Sequence, residues 1–280
     1  MALAIATNNA ALNAAASASS VNRDMETSMA RLSTGKRINS ASDDAAGVAI
    51  SSRLSAEIRG TDQAIRNSLD GQALIDTAEG AHQEIENILQ RMREVTIQAA
   101  NDTNNTQDRA NLQAEVEAMT TEIDRIAGTT TWAGANLMDG AATEFSFQVG
   151  AATGAQNQIA VTINKMNATG LSVGTGTASS IDVSTDTLAR TGTDLIDTAI
   201  KDVNIQRSKL GAVSNRLNHT VNNLTNISSN LSAAKGGIED ADFALETTNL
   251  AKNQILQQAS TAMLAQANAS KQNVLSLLQG

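Results

Sequence analysis

The 280-residue sequence carries few side chains that could do chemistry, and their spacing decides what each can be. There is no cysteine, which excludes disulfides and thiolate catalysis. The histidines are His82 and His219. His82 opens "HQEIE", which lacks the second imidazole of the His-Glu-x-x-His pattern that holds zinc on one helical turn. Both histidines therefore read as ordinary packing or surface residues. Carboxylates cluster at Asp43 and Asp44 and again at Glu239, Asp240 and Asp242. Such groups can act as acid–base pairs or metal ligands, but each cluster sits where a helix is predicted to begin, and a helix start favours negative charge. Met25, Met29, Met92, Met119 and Met263 fall at helical spacing and read as fillers of helix seams. No nucleophile lies beside a base, so an enzyme is not predicted and no cofactor or metal is implied.

Composition narrows the classes further. There is no proline, where average usage would give about 14. There is no tyrosine, one tryptophan and three phenylalanines. Uninterrupted helices with Leu, Ile, Val, Met and Ala in their seams follow from that composition. A net charge of −9 argues against nucleic acid as a partner, since phosphate binding needs clustered Lys and Arg. No apolar run approaches the roughly 18 residues of a membrane span. The first basic residue is Arg23, so a cleaved secretory signal with a basic start is not expected.

The elements follow from periodicity. Val21, Met25, Met29 and Leu32 predict an amphipathic helix that stops at "STGKR", where Gly35 suits a left-handed cap. "NSASDD" predicts the next start, and from Ala45 to about Asn101 runs a second helical region of about 80 Å, crossed by Gly60, Gly71 and Gly80. After the turn "NDTNNTQD", Leu112, Val116, Met119, Ile123 and Ile126 form the cleanest heptad. The period then changes to two at Phe145, Phe147, Val149 and at Ile159, Val161, Ile163, predicting a hairpin. "GLSVGTGTASSIDVSTD" reads as a surface loop or a short irregular lobe. A third long helix is predicted from Asp194 to Ala234, Gly236 and Gly237 break it, and a final helix carries Leu256, Met263, Ala267, Val274 and Leu278.

The expected fold is mainly α: a long antiparallel helical rod and a terminal helical coiled coil, with a small β-hairpin insert. The expected domains are 1–42 with 236–280 as the terminal coiled coil, 43–140 with 194–235 as the rod, and 141–193 as its outer segment. The two ends pose the functional question. Leu3, Ile5, Leu12, Val21, Met25, Met29 and Leu32 at one end, and Leu256, Met263, Ala267, Val274, Leu277 and Leu278 at the other, form apolar stripes. Two lone helices bury too little to offset the entropy of ordering them, which predicts stripes meant for other copies of the chain. The alternative is that both ends dock on the rod of their own molecule.

"LSTGKRINSASDDAAGVAISSRL" and "IEDADFALETTNLAKNQILQQASTAMLAQANASKQNVLSLLQ" resemble the two terminal hallmarks of the bacterial flagellins, and "NILQRMREVTIQAAN" and "LQAEVEAMTTEIDRIAG" resemble their rod segments. The resemblance implies a subunit that polymerises with itself into the hollow helical filament used for swimming, its terminal helices lining the channel. It implies an extracellular location reached by type III export without a cleaved signal. The implied partners are an export chaperone and the hook–filament junction and cap proteins. The junction protein itself is the nearest alternative, followed by a mainly adhesive filament protein. Lys36, Arg37, Asp43 and Asp44 are the implied hinge or intersubunit charges. Arg91, Glu94 and Glu115 match the segment that a vertebrate Toll-like receptor recognises in some relatives, with Val95 in place of a Leu. Trp132-Ala133-Gly134 stands where aromatic-Asn-Gly is usual, and Lys271 where Pro is frequent.

Overall fold

A computed structural model describes residues 7–140, 143–174 and 181–279, with side chains described as far as residue 271. The chain forms α1 (Asn9–Thr34), α2 (Ala45–Ala99), α3 (Thr106–Thr129), a short pair β1 (Thr131–Trp132) and β2 (Ala135–Asn136), the strands β3 (Thr143–Gln148) and β4 (Gln158–Ile163), α4 (Asp186–Glu239) and α5 (Phe243–Gln279). The fold is mainly α with a small antiparallel hairpin. It divides into two compact units, one of residues 1–58 with 229–280 and one of residues 59–228.

In the second unit the core follows directly from helical spacing. Buried positions on α4 are Ala189, Gly192, Ile196, Ala199, Val203, Gln206 and Leu210, in steps of three and four, so one stripe of the helix stays inside along its length. On α2 the matching stripe is Ala78, Ile85, Leu89, Met92 and Ala99, and on α3 it is Val116, Thr120, Ile123 and Ala127. Strand β4 alternates strictly, with Ile159, Val161 and Ile163 inside, and it pairs Phe145 with Val161 and Phe147 with Ile159. Arg207 ties α4 to α2, its Nε 2.8 Å from Glu79 Oε1 and its terminal nitrogen bonded to Glu86. His82 lies between these two carboxylates along α2. It is fully buried, it hydrogen-bonds the Ala78 carbonyl through Nδ1, and burial lowers its pKa, so it packs as a neutral side chain.

Local hydrogen bonds set the helix boundaries, and those of α4 differ from the periodicity reading. α1 begins at Asn9 because the Asn8 side chain accepts the Ala11 N–H at 3.1 Å. α3 is opened by a reciprocal cap, in which Asn105 Oδ1 accepts the Gln107 and Asp108 N–H groups and Asp108 Oδ2 accepts the Asn105 N–H. α4 starts earlier than expected, at Asp186, where Thr185 accepts from Leu188. It also runs through Gly236 and Gly237 to Glu239 instead of breaking there. The Asp240 N–H still reaches the Gly236 carbonyl at 2.8 Å, and residues 238–241 are held against residues 35–37. The pair β1–β2 was not expected. It turns through Ala133 and Gly134, both at positive φ, the requirement of a two-residue hairpin turn.

Of the stretch read as a soft loop, residues 175–180 lie outside the described residues, and its described part is anchored in the core. Leu171, Val173, Ile181 and Val183 are buried in the core. Side chains of α3 hold this backbone in place of a strand partner. Gln113 accepts the Val183 N–H at 2.9 Å and donates to the Ile181 carbonyl at 3.3 Å, while Asp124 accepts the Ala168 N–H at 2.8 Å. Such side-chain pairing satisfies buried backbone groups that no sheet serves.

The three glycines leave α2 unbroken, and two of them have a packing reason. A Cβ at Gly71 would stand 3.0 Å from the Phe147 ring and one at Gly60 would stand 2.9 Å from the Ala151 Cβ, whereas Gly80 faces open space. Gly80→Ala is therefore expected to stabilise the protein by up to about 1 kcal/mol, because only the helix penalty of glycine is removed. Gly71→Val is expected to destabilise it by about 1–3 kcal/mol through displacement of Phe147. Urea unfolding of the two variants checks both signs.

Candidate functional site

Two helices that pack along a seam bury positions three and four residues apart, and the residues at those positions decide how tightly they hold. α1 and α5 run antiparallel. Asn8 Nδ2 donates to the Ala267 carbonyl at 3.1 Å, Gln257 Nε2 donates to Asn22 Oδ1 at 2.8 Å, and Arg31 reaches Glu246 Oε1 at 2.9 Å. On α1 the seam is Ala11, Ala14, Ala18, Val21, Met25, Ser28 and Leu32, and on α5 it is Glu246, Leu250, Asn253, Gln257, Ser260, Leu264 and Ala267. Only Ser28 and Glu246 of these are fully buried. The helices come close because alanine and serine let them, with Cα atoms of the two within 8 Å of each other.

Several large apolar side chains point elsewhere. Leu12, Met29, Phe243, Leu245, Ile255, Leu256 and Met263 are between 40% and 67% exposed. Leu245, Leu256 and Met263 recur at eleven and seven residues, a spacing that places them on one stripe of α5 which α1 leaves uncovered. The predicted interface residues thus separate. Val21, Met25, Leu32 and Ala267 lie in the seam, and Leu12, Met29, Leu256 and Met263 face outward. Leu3 and Ile5 lie outside the described residues, and Val274, Leu277 and Leu278 are helical positions of α5 whose side chains also lie outside them. Hydrophobic periodicity could not find the seam of α5, since much of it is Asn, Gln and Ser. The signal that was present is the three–four spacing of those polar residues themselves.

The connectors beside this pair are clasped together. The Arg37 N–H donates to the Glu239 carbonyl at 2.7 Å, the Ala241 N–H to the Gly35 carbonyl at 2.9 Å, and Arg37 Nη2 to the Ile238 carbonyl at 2.6 Å. Gly35, at φ 71°, ends α1 in the left-handed conformation that turns the chain into this clasp. Glu239 is its hub: Lys36 Nζ lies 2.5 Å from Oε1, Lys235 Nζ lies 3.6 Å from Oε2, and Ser51 Oγ donates to Oε2 at 3.0 Å. The Lys36 ammonium holds the Glu239 carboxyl below the ordinary range against the opposing effect of burial, with Ser51 assisting.

Asp43 and Asp44 serve the start of α2. Asp43 Oδ2 accepts the Ser40 and Asn39 N–H groups at 2.9 and 3.0 Å, which holds its carboxyl low. Asp44 Oδ1 accepts the Ala46 and Gly47 N–H groups at 3.0 and 2.9 Å. Among the described residues no ion pair joins Lys36 or Arg37 to either aspartate. In the other unit Arg91 bonds both Glu94 and Glu115 at 2.9 Å on the surface, while Val95 is buried in the core. Among the described residues no three His, Cys, Asp or Glu side chains gather as a metal cage, and no helix is long and apolar enough to cross a membrane.

Comparison with known proteins adds the family. Residues 5–143 match the bacterial flagellin N-terminal helical region and residues 193–278 the bacterial flagellin C-terminal helical region. A flagellin of Halalkalibacterium halodurans is 44% identical over 251 residues, covering 90% of each chain. The chain belongs to the flagellin family. A flagellin of Bacillus subtilis is also 44% identical, covering 97% of this chain and 98% of its own. Among solved structures, the crystal structure of Bacillus cereus flagellin shares 34% identity, covers 61% of this chain and 94% of that one, and has a TM-score of 0.48. As a flagellin, the chain is a structural subunit that self-polymerises into the hollow helical flagellar filament of swimming bacteria, an extracellular assembly. The junction-protein and adhesive alternatives are not favoured by these matches.

Within this flagellin the clasp gives a pH dependence with a defined sign. The folded Glu239 carboxyl ionises more readily than an unfolded one, so its stabilisation is complete above the ordinary value of 4.5 and vanishes as pH falls through the lower folded value. Glu239→Gln is expected to lower the melting temperature at pH 7 and to converge on the wild type at an acid pH where Glu239 is protonated in both folded and unfolded chains. Calorimetric scans at the two pH values check this, and a gap that does not narrow with acid counts against the clasp.

Proposed function

We propose that the filament is propagated by the outward apolar faces of α1 and α5, with Leu12, Met29, Leu256 and Met263 meeting neighbouring copies. The observation that carries this reading is the inverted use of side chains in the pair. Its own seam is mostly alanine, serine and polar side chains, with Val21, Met25, Leu32, Leu250 and Leu264 between them, while Leu12, Met29, Leu256 and Met263 are exposed. A soluble chain that leaves such a stripe uncovered has a partner surface for it. Because the pair by itself buries little apolar area, α1 and α5 gain their full order only as neighbours cover them. Leu3, Ile5, Val274, Leu277 and Leu278, whose side chains lie outside the described residues, are assigned to the same interface from the sequence alone.

The finer parts of the reading rest on the family. The subunit leaves the cell through the flagellar type III channel without loss of a signal segment, its C-terminal helix held beforehand by the export chaperone, and the hook–filament junction and cap proteins bound the growing filament. Lys36, Arg37, Asp43 and Asp44 act at the hinge first through the intrachain bonds described above, with intersubunit pairing as a second role. A Toll-like receptor contact falls on the exposed Arg91 and Glu94 and the half-buried Glu115, with Val95 buried beside them.

Seeded elongation tests the assembly face. Met263→Glu or Leu12→Asp is expected to raise the monomer concentration needed for elongation at least tenfold, since each buries a charge in an apolar contact. The helical signal and melting of residues 59–228 should be unchanged. Hydrogen exchange on the dilute wild-type monomer is expected to show α1 and α5 exchanging far faster than the core of α2–α4. Normal growth of both variants would overturn the proposal.

A further inference from the structure

We infer that a groove between β4 and α4 is a second docking surface for another copy of this chain, and that it takes an acidic peptide segment. This inference uses the self-assembly of the family and is independent of the terminal faces. The groove encloses 520 Å³ and is lined by Ala160, Thr162, Asn164, Gln206, Lys209 and Arg216 among others. It runs along the free edge of β4. Thr162 stands opposite Glu144 of β3, and its carbonyl turns to the other side, where Gln206 Nε2 donates to it at 2.7 Å.

Two unmet demands meet in this groove. The first is a hydrogen-bond donor. Gln206 is 1% exposed and spends its amide nitrogen on β4, while its Oε1 is buried without a partner among the described residues. A buried acceptor left unpaired costs stability, and an incoming N–H recovers it. The second is a negative charge. Lys209 and Arg216 are seven residues apart on one face of α4, both exposed, and neither has an ion-pair partner among the described residues. Arg207 on the same helix shows the contrast, being held by both Glu79 and Glu86. Among the described residues no carboxylate lines the groove, although the chain as a whole carries a net charge of −9.

A ligand that meets both demands presents a donor and an anion together. An inorganic anion supplies acceptors alone. A peptide segment supplies a backbone N–H for Gln206 Oε1 and an Asp or Glu carboxylate for Lys209 and Arg216. The acidic surface of a second copy is the available source in a filament, where copies stand in permanent contact. Complementary charge favours that encounter and weakens it in salt.

Seeded elongation of the full chain, with an isotope-mixed filament treated with carbodiimide, tests this. In filaments grown from equal light and heavy subunits, carbodiimide is expected to join Lys209 to an Asp or Glu of a copy of the other isotope. K209E with R216E is expected to raise the concentration needed for elongation at least tenfold and to lose the salt sensitivity of the wild type. K209Q with R216Q, which cannot repel and keeps α4 intact, should show a smaller rise of the same sign. Growth of both double variants at the wild-type concentration, with no Lys209 cross-link between copies, would overturn the groove. That result alongside failed growth of Met263→Glu would leave the terminal faces standing. Saturation of the groove by inorganic phosphate with unchanged elongation would also overturn it, as an anion site without a peptide.

Discussion

A helix can turn a given stripe toward only one neighbour, and whether that stripe is large or small determines what the molecule keeps for itself. In the unit of residues 59–228 the large aliphatic stripes of α2, α3 and α4 face one another, with Ile85, Leu89, Met92, Ile123, Ile196 and Leu210 essentially removed from water. In the unit formed by residues 1–58 and 229–280 the allocation differs. Alanine, serine and polar side chains make up most of the seam, with Val21, Met25, Leu32, Leu250 and Leu264 between them, and Leu256, Met263, Leu12 and Met29 face solvent. The same spacing rule therefore builds a self-sufficient core in one unit and an incomplete one in the other.

The clasp at residues 35–37 and 238–241 lies in the unit with the weaker seam, and its chemistry suits that place. Backbone pairs between Gly35 and Ala241 and between Arg37 and Glu239 fix the path of both connectors without asking the helices to bury anything. Glu239 adds charge-assisted bonds to Lys36 and a hydroxyl bond from Ser51. The entry and exit of the terminal helices are thus set by polar geometry, which holds direction at little cost in apolar surface.

Much of this organisation was legible in the residues, and the gaps share a cause. Periodicity located α2, α3, the hairpin and α5, because each displays large side chains at the spacing of its own element. Phe145, Phe147, Ile159, Val161 and Ile163 even gave the inward phase of the strands of the hairpin. What escaped was everything made by polar side chains acting on distant backbone. Gln113 and Asp124 hold a stretch that composition alone marks as loose, because neither residue type announces a partner dozens of positions away. Gly236 and Gly237 looked like a break, and the tie to residues 35–37 keeps them helical. The α5 seam was hidden for the same reason: Asn253, Gln257 and Ser260 pack at helical spacing yet carry no hydrophobic signal.

A polar seam also answers a problem that an outward apolar stripe creates. If α1 and α5 held each other through that outward stripe, assembly could recruit its residues only by first separating the pair, and the free energy of filament contacts would be reduced by that separation. Small and amide side chains avoid the conflict, since their bonds are worth little net and are remade with water or with neighbours at similar energy. In the assembly proposed above, the exposed part of the stripe formed by Leu12, Met29, Leu256 and Met263 stays available for contacts between copies, because small and polar residues occupy most of the inner positions of the two helices.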